Sequence, residues 1–161
     1  MDFADWDYCS SEAFLYRAVE KSKANKKCSP WGAQATAFKR RVSDSEGISL
    51  FLTPEMCWTL DIGTVVRLQV RTINSICNSL NGQPLTAIQD SPEHALIANV
   101  PRFGSDEACV NDTALQLAML SEPLDASEHE RAKQAGLEIR RQRAHVATQQ
   151  LPRENPPESA L

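Results

Sequence analysis

The sequence predicts an α+β fold: a small, mostly antiparallel sheet of three to five strands with helices packed on it and a helical C-terminal half. Three observations carry that expectation. Short runs in the first hundred residues alternate apolar and polar side chains, the mark of strands with one buried face. Helical spacing takes over after residue 112, and no regular βαβ rhythm points to a doubly wound sheet. A chain of 161 residues that is 42% hydrophobic is long and apolar enough to build a core. The expected organisation is one α+β domain over 1–148 followed by a disordered, proline-rich tail over 149–161.

The elements follow in order. Phe3 to Tyr8 mixes aromatic and acidic residues and reads as a loosely docked opening. In Glu12 to Val19, alternation places Phe14, Tyr16 and Ala18 on one side, which favours a strand over a helix begun at Ser10 or Ser11. Residues 20–33 read as a loop closed by Ser29-Pro30-Trp31-Gly32, and Ser43 to Gly47 is turn chemistry. Ile48 to Leu52 is a short strand. Thr53-Pro54-Glu55 then supplies an N-cap, a proline at the first helical position and an acid in the first turn. Thr64 to Val70 is the clearest strand, and Thr72 to Cys77 a short helix closed by Asn81-Gly82. Leu85 to Gln89 and Ala95 to Val100 read as two further strands. Asp112 to Leu120 is helical and is stopped at Glu122-Pro123. Ser127 with Glu130 forms a capping box for a last helix reaching Gln149. Its apolar stripe is thin, drawn from Leu137, Ala144 and Val146, with Gly136 as an interruption.

Composition narrows the function classes without naming one. No apolar run approaches the roughly 18 residues of a membrane helix, and the acidic start is unlike a signal peptide. The expected setting is the reducing cytoplasm. Cys9, Cys28, Cys57, Cys77 and Cys109 are widely and irregularly spaced, which predicts free thiols and neither a zinc site nor a disulfide framework. Nucleotide-binding glycine loops, metalloprotease, hydrolase-elbow and calcium-loop signatures are all missing. No metal and no cofactor is expected.

The net charge of −4 is unevenly spread. Residues 15–42 carry eight Lys or Arg against Glu20 alone, whereas residues 1–14 carry four acids and no base. Such asymmetry makes a polarised surface able to attract an anion. Arginine forks suit phosphate and carboxylate oxygens, so Arg17, Arg40 and Arg41, with Ser43 and Ser49 nearby, are the candidate ligand-binding set. The bland alternative pairs Arg17 with Asp44 or Glu46 as a strand fastener. Trp31 beside the basic segment is a candidate aromatic anchor for a partner or a base. His94, in a turn with Asp90 and Glu93, is the one candidate catalytic residue, as a general acid or base; the alternative is a turn-capping histidine.

Leu15-Tyr16-Arg17 followed by Ile48-Ser49-Leu50 resembles the arginine and serine strand elements of ADP-ribosyl-transferring folds. The resemblance covers a minor part of the chain and lacks the later glutamate motif of those families. It implies an arginine on the first strand and a serine-led strand beyond it.

The leading functional expectation is a protein-interaction or regulatory module with a local basic surface. The segment 15–42 and the charged last helix, with Arg140, Arg141 and Arg143, would make the contacts. A homo-oligomer is compatible with that helix. The opposing expectation is an enzyme or binding protein for a nucleotide or RNA phosphate, held by Arg17 and Arg41 and served by His94. Convergence of these side chains in one pocket predicts the second; separation on different faces predicts the first.

Overall fold

The computed structural model describes residues 7–21, 35–38, 47–101 and 112–150. Its centre is an antiparallel sheet of seven strands: β1 (Asp7–Tyr8), β2 (Phe14–Val19), β3 (Ile48–Phe51), β4 (Thr64–Gln69), β5 (Thr86–Gln89), β6 (His94–Ala98) and β7 (Glu122–Pro123). Their spatial order is β1-β5-β6-β3-β2-β4-β7. Among the described residues, four helices accompany them: α1 (Pro54–Cys57), α2 (Val70–Asn74), α3 (Asp112–Leu120) and α4 (Ala126–Gln149). A 3₁₀ turn spans Ala35–Phe38.

The sheet therefore exceeds the three to five strands expected from sequence. The two additional strands are its outer edges, two residues each. A pair of residues is too short to show alternation, and both are held by register with a neighbour, Tyr8 opposite Ile88 and Glu122 opposite Arg67. The α+β class and the helical C-terminal part agree with expectation.

Pleating sorts the strands onto two faces. Leu15, Val19, Ile48, Leu50, Val66, Leu68, Ala87, Ala95 and Ile97 point to one face and pack with Ala37, Phe38, Ala114 and Leu117 from the 3₁₀ turn and α3. These side chains are the larger core. Tyr16, Ala18, Phe51 and Val65 point to the other face and meet Cys57, Trp58, Ile62, Leu124 and Ala132. That second face positions the candidate site.

The loop after α2 is organised by Asn78, a buried amide. Its Nδ2 donates to the carbonyl of Asn99 at 2.7 Å, and its Oδ1 accepts from the backbone N–H of Leu80 at 2.8 Å. Asn99 itself adopts φ 66°, a conformation that asparagine tolerates.

Helix α4 begins two residues earlier than the capping box at Ser127 would place it. Asp125 is its N-cap, accepting from the N–H of Glu128 at 2.8 Å. The buried residues of α4 are Ala132 and Gly136, whereas Leu137 and Val146 are exposed. Gly136 is thus the point of contact and not an interruption. A Cβ built there would lie 2.4 Å from the Glu55 carbonyl oxygen and 2.4 Å from the Trp58 Cβ. The helix approaches α1 so closely that only hydrogen fits between them. Further along, Arg143 reaches Glu93 in the β5–β6 turn at 3.7 Å, while residues 141–150 are exposed throughout. Among the described residues, no helix is long and apolar enough to cross a membrane.

Candidate functional site

A cleft bearing both charged and apolar side chains lies between α4 and the segment joining α1 to β4. Its construction begins at Thr53-Pro54, where extended backbone at Thr53 hands over to a single helical turn. Trp58 closes that turn, its N–H donating to the Glu55 carbonyl. The following chain is held by Leu60 N–H donating to Cys57 at 3.1 Å and Gly63 N–H donating to Val19 at 2.8 Å. The second bond brings the loop beside the end of β2, where Lys21 follows. Gly136 then lets α4 settle on Trp58.

The resulting cleft, of about 520 Å³, is lined by Lys21, Trp58, Leu60, Asp61, Lys133, Leu137 and Arg140, together with Ile62 and Gly63. Trp58 is only 5% exposed and forms the floor. The Lys133 ammonium stands 5.4 Å from the Trp58 ring centroid, a cation–π contact. His129 packs edge-on against the same ring at 5.3 Å. Leu60 and Leu137, 49% and 40% exposed, form apolar walls. Three cations thus face one carboxylate. That carboxylate, Asp61, pairs with Lys21 at 2.9 Å. Its pKa lies below the ordinary aspartate range because Lys21 donates to it and attracts it, with a smaller contribution from the Arg140 charge.

The cleft thus combines positive charge with exposed apolar surface. Lysine and arginine heads supply the charge, and the leucines supply desolvated contact area. Trp58 Nε1 is buried without a hydrogen-bond partner, a donor left unsatisfied beneath this surface.

The residues singled out from sequence are distributed differently. Arg17 is half-buried, donating from Nε to the Ala37 carbonyl at 3.0 Å and from Nη1 to the Ser49 carbonyl at 2.7 Å. It ties the 3₁₀ turn to β3, and Ser49 contributes its backbone oxygen to that contact. His94 lies on the opposite face, opposite Phe51 in the ladder, whose register places both with Tyr16. His94 Nδ1 meets Asp90 Oδ1 at 2.7 Å, and the ring stands edge-on to Phe51 at 5.6 Å. The pair straddles the β5–β6 turn, closing it and fixing the imidazole. Arg17 and His94 are not brought into one pocket. Trp31, Arg40, Arg41 and Ser43 lie outside the described residues.

Arg140 was expected as a contact residue of the last helix; Lys133, Trp58 and Asp61 were not legible as its neighbours, because they meet only when α4 docks. One signal was available: Lys133, Leu137 and Arg140 fall at i, i+4 and i+7, one stripe of a helix. Among the described residues, no group of three or more His, Cys, Asp or Glu is placed to hold a metal ion.

The described cysteines are free thiols in contrasting settings. Cys77 is exposed and Cys57 buried. Burial pushes the Cys57 thiol far up, only partly offset by the Arg17 charge. Burial also raises Cys9, with a further push from Asp90. Among the described cysteines, a thiol-alkylating reagent applied to the native protein is expected to modify Cys77 before Cys9 and to spare Cys57 until unfolding. Peptide mapping by mass spectrometry checks this; early labelling of Cys57 would contradict its burial.

No family model matches the chain, and no curated protein or solved structure matches it.

Proposed function

We propose that this protein is an interaction module whose docking surface is the cationic cleft between α4 and the α1–β4 segment, and whose partner presents an acidic protein segment. One observation carries the reading. Lys21, Lys133 and Arg140, from separated parts of the chain, converge on an apolar cleft in a protein whose overall charge is −4. A positive island on an acidic protein steers acidic partners to one place and repels them elsewhere.

The opposing reading, a nucleotide or RNA phosphate, draws less support. Trp58 offers little ring surface for stacking a base, since it is buried, met by Lys133 and flanked by His129. The separation of Arg17 and His94 on opposite faces also favours an interaction role over catalysis on a shared phosphate.

The test is an NMR titration at low salt with poly-L-glutamate, with ATP and a short single-stranded RNA as separate arms. Poly-L-glutamate is expected to shift the Trp58 indole signal and the amides of Leu60 to Gly63. The double substitution Lys133→Glu and Arg140→Glu is expected to abolish those shifts. Shifts produced only by ATP or RNA, or confined to residues away from the cleft, would overturn the reading.

A further inference from the structure

We infer that the partner segment is an amphipathic α-helix bearing an acid–apolar–acid stripe and lying antiparallel along α4; this rests on the cationic-cleft reading above. The argument begins with spacing. At 3.6 residues per turn, Lys133, Leu137 and Arg140 occupy a narrow arc of α4 and span two turns, about 10 Å along the axis. Charge, apolar contact and charge thus repeat with helical pitch on a single line.

That line lies beside the docked line of Ala132 and Gly136, so it flanks the body of the protein and does not face into it. Across the cleft, Leu60 presents a second exposed leucine toward the same space. A small anion would engage one cation and leave both leucines wet. An extended acidic strand places alternate side chains about 7 Å apart on one side, out of step with Lys133, Leu137 and Arg140. A second helix shares the pitch of the first, so acids can meet both cations while an apolar residue fills the gap between Leu60 and Leu137.

Two further features fit this occupant. From residue 141 to residue 149 every position of α4 is exposed, giving a longer rail beyond the cleft. Antiparallel helices also set their macrodipoles head to tail, a small additional attraction. In that orientation the complementary stripe reads Glu-x-x-Leu-x-x-x-Glu. Asp61 serves as the selective element: its carboxylate, tied to Lys21, repels an acid placed toward the loop wall and favours acids aligned with α4.

The experiment compares two synthetic helix-forming peptides of about twenty residues, long enough to reach helicity. They share one composition; in the first Glu and Leu form this stripe, and in the second they are permuted off it. Fluorescence anisotropy at low salt measures binding. The striped peptide is expected to bind at least about tenfold tighter than the permuted one, and to lose about tenfold on the Lys133→Glu, Arg140→Glu protein. A striped peptide carrying Lys in place of Glu is expected to regain binding to that variant. Leu137→Ala, which leaves every charge in place, is expected to weaken the striped peptide about fivefold. Equal binding of the two peptides overturns the helical partner and leaves the cationic cleft standing. Binding of neither, with a poly-L-glutamate response intact, does the same. Binding of neither, with no poly-L-glutamate response, overturns both.

Discussion

Gly136→Val is expected to lower stability by about 3 kcal/mol or more and to release α4 from the sheet. The added Cβ would fall 2.4 Å from the Glu55 carbonyl oxygen and from the Trp58 Cβ, and 3.1 Å from the Trp58 carbonyl carbon. Two of these three neighbours are backbone, so a side-chain rotation gives no relief. Replacing glycine inside a helix ordinarily gains about 1 kcal/mol of propensity with alanine; here overlap outweighs it, and Gly136→Ala is expected to destabilise as well. Urea unfolding followed by far-UV circular dichroism measures the loss, with Gln134→Ala on the exposed side as the control. The cleft disappears with the helix, so poly-L-glutamate shifts at Trp58 should vanish in the same variant. A glycine variant as stable as the parent protein would show that α4 does not sit as described.

Gly47→Ala is expected to cost about as much, through the larger core. Gly47 has φ 155°, and a Cβ there would lie 2.2 Å from the Ile97 carbonyl oxygen, with the Ile97 carbonyl carbon at 3.0 Å. The neighbour is again main chain, in the strand that pairs with β3. Ile48 opposes Ile97 and Leu50 opposes Ala95, so forcing the two strands apart loosens the middle of the sheet. Overlap combined with an unfavourable backbone angle gives an expected loss of about 3 kcal/mol. That corresponds to a fall of roughly 6–12 °C in melting temperature for a chain of this size. Calorimetry decides the matter; a fall below about 2 °C would contradict the close approach. The Trp58 cleft lies on the other face, and partial folding with an intact cleft would show that the two cores are separable.

These two glycines also mark the border between what was legible and what was not. The long strands were readable because they alternate: Leu50 and Ile48 face one core, and Phe51 faces the other. Edge strands of two residues carry no such period and depend wholly on their neighbours' register. The last helix is readable as a mostly exposed helix, but its thin apolar stripe of Leu137, Ala144 and Val146 does not mark the contact, which Ala132 and Gly136 make. Docking by small residues leaves no bulky stripe, because close approach selects for the absence of a side chain. Arg17 does lie in a strand, as the alternation around it suggested. Its role as a clasp between the 3₁₀ turn and β3 depends on a carbonyl at Ala37, and carbonyls have no letter in a sequence. The cleft required Lys21, Trp58 and Arg140 to be neighbours, a fact of tertiary packing alone.

The outermost strand β7 ends in Pro123, whose ring nitrogen carries no hydrogen to offer, and the opposite margin β1 is only Asp7 and Tyr8. Among the described residues, each rim offers only two residues to a further strand. Rims this short discourage growth into sheet-stacked polymers.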